Sequence, residues 1–147
     1  TRTEIGAAVR AETWRALPAL RAGAQPADGA LVGVPTVFRT GQPVDGLVGA
    51  DLSVLGPDVR LDARPRWWWS WGDGAGRWTA SPGGRWPDAS VSHTYRTLGA
   101  RTVRVTAVWR GSYVVEGLGP FPVPGDPLTQ DDVLTVDVRE ARALLVG

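Results

Sequence analysis

Residues 67–74 read WWWSWGDG, four tryptophans in five positions closed by a Gly-Asp-Gly turn. Side chains alternate faces along an extended strand. Read as a strand, the run places Trp67, Trp69 and Trp71 on one face, and Trp68 on the other with Arg66 and Ser70. One buried aromatic removes roughly 150–250 Å² from water and stabilises a core by several kcal/mol. Trp69 and Trp71 are therefore expected in the core of a sheet protein, and Trp68 at its surface. Trp78 and Trp86 follow in a Gly/Pro-rich stretch that resists deep burial. They are expected beside Trp68, with Arg66, Arg77 and Arg85 nearby.

The surrounding sequence has the same short-strand texture. Upstream, "LVGVPTVFRT" (31–40) alternates through Val32, Val34, Thr36 and Phe38, and Pro35 argues for an edge position. "DLSVL" and "VRLDA" alternate around a turn at Gly56-Pro57-Asp58. Downstream, "RTVRVTAVW" (101–109) puts Val103, Val105, Ala107 and Trp109 on one face. "SYVVEG", a Pro/Gly-rich loop and "VLTVDVRE" complete a series of about seven strands, the pattern of a β-sandwich. Residues 1–29 differ. Ile5, Val9, Ala16, Leu17 and Leu20 fit one helical face, with Thr3 as a cap and Pro18 as the stop. A helix over 4–17, lying outside the main core, and a linker over 21–30 are expected. The division is thus a helix and linker (1–29) and a sandwich domain (30–147).

Composition excludes several classes. The 147 residues carry 16 basic and 15 acidic side chains, a net charge of +1, and the basic residues are scattered arginines. Neither nucleic acid nor an anionic membrane is implied. No cysteine is present, so disulfide and thiolate-metal chemistry are absent. No apolar run approaches the ~20 residues that span a bilayer. The chain starts at Thr1 without methionine, which suggests processing or trimming. Any signal peptide or membrane anchor is expected outside this chain.

Two motifs carry a resemblance. "WSWGDG" (69–74) resembles the Trp-Asp-Phe-Gly-Asp-Gly signature of the polycystic kidney disease (PKD) domain family, and "HTYRTLGARTVRVTAV" (93–108) resembles that family's His-x-Tyr, glycine and alternating strand. The resemblance covers roughly residues 30–140. It implies an all-β, immunoglobulin-like β-sandwich, here with an N-terminal helical extension, and a non-enzymatic extracellular interaction or spacer module. By position it makes Trp69, Trp71, Gly72, Asp73, Gly74, His93 and Tyr95 the structural motif. Tyr95 is similar to a tyrosine corner, with its ring in the core and its hydroxyl on backbone. Ser70 departs from the family by replacing the first aspartate. The loops over 74–90 and 111–132 look long. With a composition typical of high-G+C genomes, the chain is similar to envelope proteins of actinobacteria.

Catalytic chemistry is sparse. His93 is the sole histidine, and its place beside Tyr95 favours a structural bond to backbone or to the Gly-Asp-Gly turn. No phosphate-binding or dinucleotide fingerprint exists. Asp126, Asp131 and Asp132 in the late loop, and Asp73 and Asp88 in the earlier one, match no calcium-loop spacing. The expected function is non-catalytic, without cofactor or metal. The expected partner is a protein of the envelope or a larger assembly, met through Trp68, Trp78, Trp86, Arg66, Arg77 and Arg85. The alternative is a carbohydrate-binding module in which the tryptophans stack on a polysaccharide. Sugar platforms need coplanar rings along a groove, whereas a protein interface needs one contiguous patch.

Overall fold

The computed structural model describes residues 2–27, 29–52 and 58–140. Among the described residues the fold is all-β with one N-terminal helix. Helix α1 (Arg2–Ala16) precedes ten strands: β1 (Gly23–Gln25), β2 (Ala30–Leu31), β3 (Pro35–Arg39), β4 (Leu47–Asp51), β5 (Val59–Ser70), β6 (Gly76–Thr79), β7 (Ser92–Thr94), β8 (Gly99–Val115), β9 (Leu118–Pro122) and β10 (Leu128–Arg139). A three-stranded sheet runs β1-β3-β7, and a larger sheet runs β2-β10-β8-β5-β4, with β6 added on β5 and β9 on β8.

The tryptophan run lies on the second half of β5, whose side chains alternate buried and exposed from Val59 to Trp69. "VRLDA" and "RWWWSW" thus form one strand through Pro65. Proline is tolerated there because β4 pairs with β5 up to Ala63 and β6 from Trp67 onward, so Pro65 falls where neither demands its missing N–H.

Contacts group the chain into two units. One comprises the stretch up to Pro18, Pro43–Pro65 and Val108–Thr129; the other comprises Ala19–Gln42, Arg66–Ala107 and the stretch from Gln130.

In the first unit α1 belongs to the packing, which corrects its expected place outside the core. Val9 and Thr13, one helical turn apart, are buried, and the Arg10 guanidinium donates to the carbonyls of Pro124 (2.8 Å) and Asp126 (2.5 Å). Gly6 lies so close to the Tyr113 hydroxyl that an added Cβ would sit 3.2 Å from it. The buried stripe therefore runs through Gly6, Val9 and Thr13, while Ile5 and Leu17 are half-exposed. The helix ends two residues before Pro18, and Thr3 lies within its first turn. The stretch expected as a long loop over 111–132 is largely strand. Glu116 (φ 48°) and Gly117 (φ 79°) both take left-handed backbone, as a two-residue hairpin turn requires, and join β8 to β9. Tyr113 faces Phe121 across that hairpin, ring centroids 5.7 Å apart.

The second unit holds the aromatic core. Phe38 of β3 packs on Trp69 and Trp71 at 5.6 and 4.6 Å between centroids, joining strands of the two sheets. Residues 23–25, expected within a linker, form β1 on β3. That makes β3 a central strand, contrary to the edge position expected from Pro35. The proline is its first residue, a place that tolerates the missing donor. The expected turn at 56–58 lies partly outside the described residues.

Candidate interaction surface

The two sequence motifs meet in the second unit. Gly72 (φ 86°) takes left-handed backbone and lies so near β8 that an added Cβ would come within 2.6 Å of the Thr102 carbonyl oxygen. Past Gly72, Asp73 turns its carboxylate back on the turn. Oδ1 accepts the Ala75 N–H at 3.0 Å, and Oδ2 accepts from His93 Nε2 at 2.6 Å. The imidazole stacks on Trp71 at 5.0 Å with planes 4° apart and meets Tyr95 edge-on at 4.7 Å. The Tyr95 hydroxyl donates to the Trp71 carbonyl at 2.8 Å, closing the cluster.

Electrostatics follow this geometry. Partial burial works to raise the Asp73 carboxyl, but the His93 and Ala75 hydrogen bonds outweigh it and hold the group below the usual carboxylate value. Burial, with Asp73 nearby, pushes the Tyr95 hydroxyl far above its ordinary value, Arg101 opposing. His93 is thus wedged between two aromatic rings and a carboxylate. A ring stacked on one side, met at right angles by a second ring and bonded at one nitrogen is a structural brace between β7 and the Gly-Asp-Gly turn.

The buried tryptophans have polar tethers. Trp67 and Trp69 are 0% exposed and Trp71 is 2%. The Trp67 indole donates to Gln42 Oε1 at 2.8 Å, and Gln42 Nε2 donates in turn to Gln130 Oε1 at 2.8 Å. The Trp69 indole reaches Thr79 Oγ1 at 3.3 Å, and that hydroxyl donates to the Ser81 carbonyl. The Trp67 and Trp69 indole N–H groups thus each have a partner, as burial requires.

Four tryptophans stay outside: Trp68 (36% exposed), Trp78 (47%), Trp86 (68%) and Trp14 (53%). Trp68 and Trp78 face each other directly across the β5–β6 pairing, ring centroids 5.5 Å apart and planes tilted by 52°. The Arg66 guanidinium carbon lies 5.6 Å over the Trp78 ring, a cation–π contact. Gly76 makes room: a Cβ there would lie 2.5 Å from a Trp68 ring carbon, so this face of the hairpin admits only glycine under the indole. Trp78 sits on a strand, although the sequence reads there as loop. "GRWT" has no long alternation, and only the pairing with the tryptophan run makes it extended.

The other expected site residues divide. Arg77 pairs with Trp69 in register, so it leaves the sheet on the opposite face from Trp78 and bonds the Ser90 carbonyl at 3.4 Å. Trp86 does not join the pair: among the described residues no ring contact links them, and its backbone N–H donates to Gln25 Oε1 on β1 at 2.6 Å. Arg85 is exposed, and its carbonyl accepts the Asp88 N–H. The patch brought together is Arg66, Trp68 and Trp78, with Gly76 beneath.

The carboxylates expected in loops are separately engaged, and Asp131 and Asp132 lie on β10 rather than in a loop. Asp131 accepts the Thr106 hydroxyl, Asp132 accepts the Ala22 N–H, and Asp88 accepts both Ser90 donors. Among the described residues no group of three or more His, Asp or Glu side chains is placed to hold a metal ion, and no helix is long and apolar enough to cross a membrane. In the first unit a hollow of about 320 Å³ lies beside α1, lined in part by Arg10, Trp109, Val123 and Leu128. Arg10 is committed there to loop carbonyls. No protein-family model matches the chain, and no curated protein matches it in sequence.

Proposed function

We propose that this chain is a non-catalytic interaction module, an immunoglobulin-like β-sandwich similar to PKD domains, exported to a cell envelope or secreted assembly. Its partner is a protein, docked on Arg66, Trp68 and Trp78. The observation that carries this reading is the shape of the patch. Its two rings touch and tilt by 52°, and a guanidinium caps one of them. A polysaccharide platform calls for separate coplanar rings, whereas a contiguous Trp/Arg cluster has the make-up of a protein hot spot. The sandwich reading is supported by Phe38 bridging the sheets, and the PKD-like reading by the Trp71–Asp73–His93–Tyr95 cluster, which unites both motifs.

The test is a Trp68→Ser/Trp78→Ser double variant, assayed for attachment to envelope material treated beforehand with protease or with glycan hydrolases. Attachment should vanish for the variant, and for the wild type only after protease. Loss after glycan hydrolysis instead would favour the carbohydrate module, and a variant that still attaches would remove the patch from the site.

A further inference from the structure

The backbone beside this patch is unpaired. Trp71 N–H donates to Ala75 O at 3.1 Å, two residues along from the Trp69–Arg77 pair in the same register. Hydrogen-bonded pairs recur at every second position of an antiparallel ladder. Trp69–Arg77 and Trp67–Thr79 are therefore the bonded pairs, and Gly76 and Trp78 aim their N–H and C=O away from β5. β6 pairs with β5 alone among the described residues. Among the described residues no hydrogen bond takes up those four groups.

Other outer strands are blunted in ways that natural sheets use against unwanted pairing. β4 is bulged between Leu47 and Ala50, and its Gly49 N–H is taken by the Asp62 carboxylate at 2.6 Å. β9 carries Pro120 and Pro122, and β7 is only three residues long. β6 has no proline, no bulge and no carboxylate on its free groups. Charge gives the open edge a preference. Arg66 lies on the Trp78 face and Arg77 on the other, and neither forms an ion pair among the described residues.

We propose that the free edge of β6 is a strand-addition site for an extended segment of the partner protein in which acidic and apolar side chains alternate. This rests on the protein-interface reading and states how the partner binds. An added strand lies about 4.8 Å away. The residue opposite Trp78 exchanges two backbone hydrogen bonds with it, shares its face and lays an apolar side chain on the indole. The residue opposite Arg77 points to the other face and offers a carboxylate to the guanidinium. Backbone bonds set the position, and the alternating pockets set specificity.

The probe is a capped nine-residue peptide alternating Glu and Val, with a Lys–Val counterpart and a version N-methylated at every valine. Binding of Glu–Val should slow amide exchange at Gly76 and Trp78 at least tenfold, and N-methylation should weaken it at least tenfold. Arg77→Glu, an exposed change, should abolish Glu–Val binding and confer binding of Lys–Val. Absence of binding, or equal binding of the N-methylated peptide, overturns strand addition. Self-association that protects the same amides without peptide, seen by sedimentation, would assign the edge to a second copy and also overturn it. The interface reading fails separately, by continued attachment of the double serine variant.

Discussion

Truncating two adjacent tryptophans to alanine, Trp69 and then Trp68, probes strand alternation most directly. Trp69 is fully buried, stacked on Trp71 at 5.1 Å and tilted against Phe38 at 5.6 Å. Burying roughly 150–250 Å² at about 25 cal/mol per Å² contributes ~4–6 kcal/mol. Alanine retains a little of this, partial collapse recovers more, and large aromatic truncations cost about 3–5 kcal/mol. The lost ring stacking adds about 0.5–1.5 kcal/mol. The lost indole N–H adds little, because the Thr79 hydroxyl still donates to the Ser81 carbonyl. Trp69→Ala should therefore cost ~4–5 kcal/mol. Trp68, one residue away, is 36% exposed and touches chiefly Trp78 and Gly76. A cross-strand pair contributes about 0.2–1 kcal/mol and an aromatic contact up to about 1.5, so Trp68→Ala should cost ~1–2 kcal/mol. Urea unfolding followed by far-ultraviolet circular dichroism measures both, provided the slope is unchanged. Equal costs, or a Trp69→Ala cost below ~1 kcal/mol, would refute the reasoning.

Asp73→Asn should cost about 1.5–3 kcal/mol at neutral pH, the range for hydrogen bonds to a charged group. Because the folded carboxyl titrates below its unfolded value of about 3.9, its stabilisation is fully present above that value and lost as pH falls through the folded one. The gap between wild type and variant should hold at pH 7 and close below about pH 4; a gap that persists in acid would contradict the carboxylate's role. Tyr95→Phe strands the buried Trp71 carbonyl and should cost about 1–3 kcal/mol, read from the urea midpoint, with a neutral result counting against the corner. Deleting residues 1–17 removes the buried Val9 and the Arg10 anchors, so amide protection over 108–129 should fall; undiminished protection would show α1 to be dispensable.

What the sequence by itself determined is local. Period-two alternation is a property of the extended chain, so the division between Trp68 and its neighbours was legible in the run. So was the all-β class, because turn residues recur between alternating stretches. Pro18 stops the helix because it bars the preceding residue from helical backbone. Where a short segment finds its partner was decided by tertiary structure alone. Residues 23–25 and 76–79 have too few side chains to show a period; they are strands only because β3 and β5 offer ladders to bond. The face of Arg77 depends on the register of the β6 pairing, and a shift of one residue would exchange it with Trp78. Trp86 parts from the patch because its backbone is held by Gln25, a residue 61 positions away in the chain. The helix is buried on Gly6, Val9 and Thr13 rather than on a strong apolar stripe, because what it meets is the Tyr113 hydroxyl and the carbonyls of a distant turn. Contacts of that kind are made by backbone and shape, and neither leaves a mark in hydrophobic pattern.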